Sequence, residues 1–308
     1  MTDDRYLMTR SWAYAALTGS VTFWGGSFVA MKVVLPELSP GVMVVTRFVI
    51  GCAVLALTLA WRGSLWIPGR RDLAATAVLG AIGVTLHQWL QATGLQTAAA
   101  SVSSWIVAIS PVFVVILGWA LLRERVTGGR IAGILVAATG MMVIVSQGKL
   151  GAFLAGRAWT PGDGLILASA VNWAVFTVLS KYVIDQGDAA SPVRRDRSMV
   201  LMFYTLVFGL LFTLPWAAIQ GGWAALGHLS TYAWLGMGFL GVACSGLAYI
   251  FWFAGLEAVD ATQVGAFLYL EPVVTSLVAV PVLGEPITGA LLVGGAAILL
   301  GLWLVNRT

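Results

Sequence analysis

Two ionisable side chains fall deep inside apolar runs of the chain. Arg47 lies about six residues into the run 42–61, and Glu271 lies near the middle of 261–283, directly before Pro272. If such runs cross a bilayer, an unpaired charge at the centre costs roughly 2.5–3.5 kcal/mol. The two residues therefore either pair with each other or each occupy a polar niche. Glu271 is open to a further role, uptake of a proton during a working cycle, because burial disfavours an ionised carboxylate. Pro111 and Pro272 each lack a backbone N–H, which frees a helix carbonyl for another partner.

A polar stripe runs along the third apolar run. Gly83, His87, Gln91 and Gly94 recur at helical spacing, with Gln88 adjacent. A neutral histidine and two amides in such a helix face a bundle interior or water. There they either contact a solute or only fix helix packing by hydrogen bonds. Aromatic residues recur in the same way: Trp24 with Phe28, Trp105, Trp173 with Phe176, Tyr249 with Trp252, and Tyr269. Their faces bind many shapes loosely while a few polar groups orient a ligand. The alternative is contact with lipid or an interfacial belt. Tyr269 and Glu271 lie about 200° apart around a helix, so both cannot face one cavity. Lys32 and Lys181 stand at the ends of apolar runs. Snorkelling explains such lysines; the other reading is a symmetric pair that meets substrate carboxylates or counter-charges at two gates.

The elements that must position these groups follow from composition. Of 308 residues, 59% are hydrophobic and 10% are charged, against roughly 25% charged in a soluble domain. No soluble fold hides that much apolar surface, and the chain is neither polar enough for disorder nor periodic enough for a fibre. It reads as a polytopic membrane protein. Ten apolar runs are evident, at 11–33, 42–61, 73–95, 99–122, 129–146, 163–183, 198–219, 232–255, 261–283 and 288–305. The first is longer than a signal-peptide core. The remaining connections are too short for a soluble domain.

Positive charge is unevenly placed. Arg5, Arg10, Arg62, Arg70, Arg71, Arg123, Arg125, Arg130, Lys181, Arg194, Arg195, Arg197 and Arg307 fall on the side of the N-terminus, and Lys32, Lys149 and Arg157 on the other. This bias puts both termini in the cytoplasm. Trp12, Trp61, Trp66 and Trp159 lie near run ends and read as belt residues. Cys52 and Cys244 sit in apolar runs as packing residues. Gly236, Gly238 and Gly241 match a dinucleotide-binding spacing, but inside an apolar run they read as a packing stripe. No phosphate-binding loop sequence is present, and His87 and His228 are too few for a histidine-rich metal site. No metal or cofactor is expected, and the net charge of +4 reflects loop arginines rather than a nucleic-acid partner.

The chain repeats itself. Residues 94–140 align without a gap onto 255–301, with Gly94, Pro111, Glu124, Gly133 and Gly140 falling on Gly255, Pro272, Glu285, Gly294 and Gly301. Trp24 and Lys32 likewise match Trp173 and Lys181. Each half holds five runs, an odd number, so the halves enter the membrane in opposite senses. Inverted repeats give one chain two related states, one open to each side, with a binding site near the midplane. Small-residue ridges, Gly129-Gly133-Ala137-Gly140 and Ala290-Gly294-Ala297-Gly301, are expected to join the two halves or a dimer. Asp185, Asp188 and Asp196, interspersed with Arg194, Arg195 and Arg197, read as a solvated cytoplasmic linker.

The run Phe23-Trp24-Gly25-Gly26-Ser27-Phe28-Val29-Ala30-Met31-Lys32, the pair Arg47-Phe48 and the stretch from Pro111 to Glu124 followed by Thr127-Gly128 resemble the EamA domain. Two copies in tandem resemble the ten-helix drug/metabolite transporters, which include YddG-like amino-acid exporters. The second copy departs from the pattern, with Trp173-Ala174-Val175-Phe176 in place of small residues and no counterpart of Arg47. The resemblance implies an all-α integral membrane protein of ten transmembrane helices in two inverted five-helix repeats. Its first repeat spans 11–146, a linker 147–162 and its second repeat 163–305. It further implies a secondary transporter, not an enzyme, that exports small organic solutes such as amino acids across a bacterial-type inner membrane. Its partners are then a small-molecule substrate and the lipid bilayer, with the oligomeric state open and a monomer allowed. Two alternatives stand beside it: a multidrug efflux carrier, and a membrane-embedded lipid-modifying enzyme. The latter needs clustered charges on one membrane face, which Arg47, Glu271 and Glu285 do not supply in sequence.

Overall fold

The computed structural model describes residues 10–122, 127–149, 151, 160–185, 196–258, 264 and 267–307. Among them every regular element is helical. The first half holds α1 (Arg10–Val34), α2 (Pro40–Trp61), α3 (Arg70–Gly94), α4 (Ala100–Val107), α5 (Ser110–Leu122) and α6 (Gly128–Val145). The second holds α7 (Pro161–Asp185), α8 (Arg197–Gln220), α9 (Thr231–Leu256), α10 (Glu271–Leu283) and α11 (Gly289–Arg307). Of these, α2, α3, α7, α8 and α9 are long and apolar enough to cross a membrane. Large apolar side chains such as Leu57, Leu135, Leu277 and Leu292 stand exposed on helix surfaces. In water such a surface would be an aggregation hazard, whereas in lipid it is the favourable outer face. Trp12 and Trp61 are also exposed; Trp159 lies outside the described residues.

The run 99–122, expected as one helix, is two. Pro111 has no N–H to give the Val107 carbonyl, and the Ser110 hydroxyl donates to that carbonyl instead, at 2.6 Å. The chain breaks between α4 and α5 at this point. Before Pro272 a 3₁₀ turn, Leu268–Leu270, solves the same problem, with the Glu271 N–H turning back to the Leu268 carbonyl.

Helix ends are written in local chemistry. At the start of α7 the Thr160 N–H donates to Asp163 at 2.8 Å, and the Asp163 N–H donates to the Thr160 hydroxyl at 3.1 Å. This is a reciprocal cap. At the end of α10, Gly284 takes φ +67°, a left-handed turn in which glycine meets no Cβ penalty. That turn aims Glu285 at the start of α4, where its carboxylate accepts from the Ala100 N–H (2.8 Å), the Ser101 N–H (3.0 Å) and the Ser101 hydroxyl (2.5 Å). A carboxylate at a helix N-terminus satisfies orphan donors and complements the dipole.

Glu37 does the same for α9, accepting from the Ser230 N–H at 2.7 Å and its hydroxyl at 2.6 Å. These bonds hold its carboxyl below the usual carboxylate range. A depressed folded-state pKa contributes stability above the ordinary pKa and loses it as pH falls through the folded value. The gap in melting temperature between the wild type and Glu37→Gln should therefore be full near pH ~7 and close as pH drops below ~4. Thermal melts of both proteins in detergent across that range check this.

The aspartate–arginine segment is not simply a solvated linker. Asp196 takes two bonds from Arg62, at 2.9 and 2.6 Å, and one from the Ser64 hydroxyl at 2.7 Å. Arg197 reaches Asp72 at 3.2 Å and caps the Val183 and Ile184 carbonyls. These bonds tie the α2–α3 connection to the start of α8. Asp188, Arg194 and Arg195 lie outside the described residues.

A main core runs through both halves, and a smaller one gathers Trp105, Ile109, Val112, Ala137, Ile144, Leu291 and Ile298. The smaller core belongs to a seam between α6 and α11, where the two glycine ridges face each other. A Cβ added to Gly140 would lie 2.5 Å from the Gly294 carbonyl, and one on Gly301 2.5 Å from the Gly133 carbonyl. The ridges thus join the two halves of one chain. In α9, Gly241 seats Ile50 and Gly236 seats Val34, while Gly238 meets nothing within 4 Å.

Candidate functional site

Between the halves lies a cavity of about 410 Å³, counted out to its opening. It is lined by residues from α1, α2, α3, α4, α7, α9 and the start of α10. Two π-helical turns shape it. Gly80–Leu86 widens α3, and Phe239–Leu247 widens α9. At the offset that carries Gly94 onto Gly255, the two turns fall in nearly the same register. Such turns are rare and cluster at functional sites. Each offers a carbonyl to the first helix of the other half. The Asn172 amide donates to Ile82 O at 2.8 Å, and the Trp24 indole N–H donates to Cys244 O at 3.1 Å.

The same offset carries Gln88 onto Tyr249 and Gln91 onto Trp252. One half therefore presents amides where the other presents aromatic rings. Trp24 and Trp173, the matched tryptophans, meet edge to face at 5.3 Å. Trp24 also touches Tyr249 (5.4 Å) and Trp252 (5.0 Å), and Trp173 touches His87 (4.9 Å) and Phe176 (5.2 Å). Offset and edge-on pairs of this kind stabilise beyond their buried area. Glycines admit the rings and helices to close quarters. The Phe176 ring lies where a side chain on Gly83 would be, and a Cβ on Gly25 would lie 2.7 Å from the Glu271 carbonyl. That close crossing of α1 and α10 brings Trp24 and Glu271 to one cavity.

Arg47 is 2% exposed. Its Nε donates to the Ser245 hydroxyl at 2.9 Å and its Nη1 to Gln88 at 3.3 Å, with the Met31 sulfur 3.5 Å away. The guanidinium carbon stands 5.3 Å from the centre of the Phe48 ring, within cation–π range. Glu271 is 5% exposed and lines the same cavity. The two charges do not pair with each other. Arg47 has a polar niche, whereas the Glu271 carboxylate takes no protein hydrogen bond among the described residues. Thr275 holds the turn beneath it, donating from its hydroxyl to the Gly25 and Glu271 carbonyls.

Of the residues singled out by sequence, Trp24, Arg47, His87, Gln91, Trp173, Tyr249 and Glu271 line the cavity. Trp252 and Phe176 stand behind them against the two tryptophans. Phe28, Trp105 and Tyr269 are elsewhere. Phe28 is one turn beyond Trp24 and fully buried in the main core. The Trp105 ring covers Gly295 in the α6–α11 core, and Tyr269 packs on that same core. Lys32 stands near the end of α1 and is half-buried. Lys181 places Nζ 3.5 Å from the Leu256 carbonyl at the end of α9. Ser27, Val107 and Leu268 line the cavity and Ser245 anchors Arg47; Ser27 lies in the motif run of the first helix, and the other three carry no sequence signal. Serines and aliphatics are common in these runs, and the π turn that aims Ser245 has no signature of its own.

The EamA-like transporter family model matches twice, over residues 11–146 and 160–307. A protein of Archaeoglobus fulgidus named an uncharacterized transporter is 28% identical, over 93% of this chain and 94% of its own. A protein of Streptantibioticus cattleyicolor named a probable terminal-alkyne amino-acid exporter is 30% identical, over 97% of this chain and 95% of its own. A solved crystal structure covers 96% of this chain and 98% of that one, with a TM-score of 0.67 at 21% identity, and shares the fold. Two matched copies, relatives named as transporters and helices fit to cross a membrane lead to one conclusion: this chain is a multi-pass membrane protein and a member of the EamA-like transporter family.

Proposed function

We propose that the protein exports amino acids or closely related small metabolites by alternating access. In this reading ten helices cross a bacterial-type inner membrane as two inverted five-helix repeats, with both termini in the cytoplasm. The helix pair α4–α5 forms one crossing. The observation that carries the proposal is the cavity between the halves, where charged and amide groups share one small space with aromatic rings. The cavity is narrow and its lining side chains are largely buried, which favours a small solute over a bulky one. The name of the Streptantibioticus relative supports the same substrate class. One chain supplies every wall, so a monomer suffices.

Uptake of a panel of labelled amino acids into proteoliposomes, with and without a pH gradient, tests this. Saturable uptake of at least one amino acid is expected, and transport of none of them overturns the reading. Stimulation by the gradient assigns proton coupling, and its absence assigns movement down the solute gradient. Cells expressing the protein should resist toxic amino-acid analogues; resistance to lipophilic cations instead would identify a drug carrier.

A further inference from the structure

We infer that Arg47 and Glu271 are the two poles of a zwitterion site, the first for the carboxylate and the second for the ammonium group of one bound solute. The inference rests on the transport reading above and deepens it by assigning the ligand's charged groups to named residues.

Two opposite charges in one membrane-buried cavity would ordinarily neutralise each other, because unpaired burial is costly. Here they do not pair. Arg47 is held back by Ser245 and Gln88 through Nε and Nη1, while its Nη2 makes no hydrogen bond among the described residues. That nitrogen is also absent from the enclosed, unpartnered polar atoms, so it retains open surface. Glu271, at the first turn of α10, has no protein donor on its carboxylate among the described residues. The Gln91 side-chain amide also lines the cavity and makes no hydrogen bond among the described residues. Among the described residues the cavity thus presents a guanidinium donor, a carboxylate acceptor, the Gln91 amide and the unpartnered His87 Nδ1; a zwitterion supplies partners for the first two.

The remaining lining sets the rest of the ligand. Trp24, Trp173, Tyr249, Val107 and Leu268 suit an apolar or aromatic side chain. A lone cation would leave Arg47 uncompensated, and a lone anion would leave Glu271 so. An α-amino acid with an uncharged, apolar side chain satisfies both poles at once. A zwitterion adds no net charge to the site and gives each pole a local counter-charge, which offsets the cost of keeping it unpaired in the membrane.

The test is equilibrium binding to purified protein in detergent, read by cavity tryptophan fluorescence. The probes are phenylalanine, the matching amine phenethylamine and the matching acid 3-phenylpropionate. The wild type should bind phenylalanine at least about tenfold more tightly than either single-charge analogue, the value of one charge-assisted hydrogen bond. Glu271→Gln should remove the preference for phenylalanine over the acid and keep the preference over the amine. Arg47→Gln should do the reverse. Should Arg47→Gln fail to fold, Arg47→Lys keeps the charge and should retain the preference over the amine, and Glu271→Gln decides the other pole alone. Unchanged analogue preferences in a folded Glu271→Gln would overturn the inference while leaving amino-acid transport by the wild type intact. If the wild type neither binds nor transports any amino acid, the transport reading falls, and this inference with it.

Discussion

Replacing Gly140 with valine is expected to destabilise the protein by about 3 kcal/mol, the upper end of the usual range for overpacking. The reason is backbone contact. A Cβ at 140 would sit 2.5 Å from the Gly294 carbonyl oxygen, 2.8 Å from the Ile298 nitrogen and 3.0 Å from the Ala297 Cβ. Side chains can rotate away from an intruder, but helix backbones must separate. Separation would open the seam for its whole length, because Gly294 is equally pressed against the Gly140 carbonyl and Gly301 against Ala137 and Gly133. In lipid, helix association depends on this close packing rather than on a hydrophobic drive. Thermal melting in detergent should show a fall of many degrees for Gly140→Val and a smaller one for Gly140→Ala. Gly238→Ala is the control. It lies in a helix with nothing within 4 Å and should leave the melting temperature unchanged or slightly raised.

Removing the Trp24 ring is expected to cost about 3–5 kcal/mol, the usual range for a buried tryptophan cut to alanine, and to abolish transport. Trp24 touches Trp173, Tyr249 and Trp252 at once, so its loss leaves three rings without a common neighbour. It also strips the Cys244 carbonyl of its indole donor. Trp24→Phe separates the two contributions, since it keeps an aromatic face and lacks the N–H. It should recover most of the stability and part of the transport. In a double-mutant cycle, Trp24→Ala and Trp173→Ala should fall short of additivity by about 0.5–1.5 kcal/mol, the coupling of an aromatic pair. Strict additivity would mean that the two rings act independently.

Several features are legible in the sequence alone. Arg47 and Glu271 are conspicuous because a sparse set of charges otherwise marks the ends of apolar runs. The glycine ridges are visible because 3.6-residue periodicity and the internal offset coincide at Gly140 and Gly301. The match of Trp24 with Trp173 also points to a shared location. The angular separation of Tyr269 and Glu271 assumes one continuous α-helix, whereas Tyr269 lies in a 3₁₀ turn and Glu271 opens the next helix. The break between α4 and α5 is half legible: Pro111 announces a missing donor, but the choice between a kink with a serine substitute and a 3₁₀ turn depends on neighbours.

Phase and spacing do not reach across helices, and the site depends on that reach. Phe28 shares a helical face with Trp24 but sits one turn further, inside solid packing, because depth along an axis has no periodic signature. Trp105 looks like a cavity aromatic until α11 supplies Gly295 for its ring. Asp196 and Arg197 look solvated until the α2–α3 connection arrives with Arg62 and Asp72. From the sequence alone come the membrane class, the two-copy organisation, the glycine seams and the presence of two buried charges, because each follows from composition or from distances along one helix. Only the tertiary structure decides that the two charges stand apart over one cavity, with Arg47 drawn aside by Ser245 and Gln88. That outcome is set by where two π turns and a close α1–α10 crossing place side chains from distant parts of the chain.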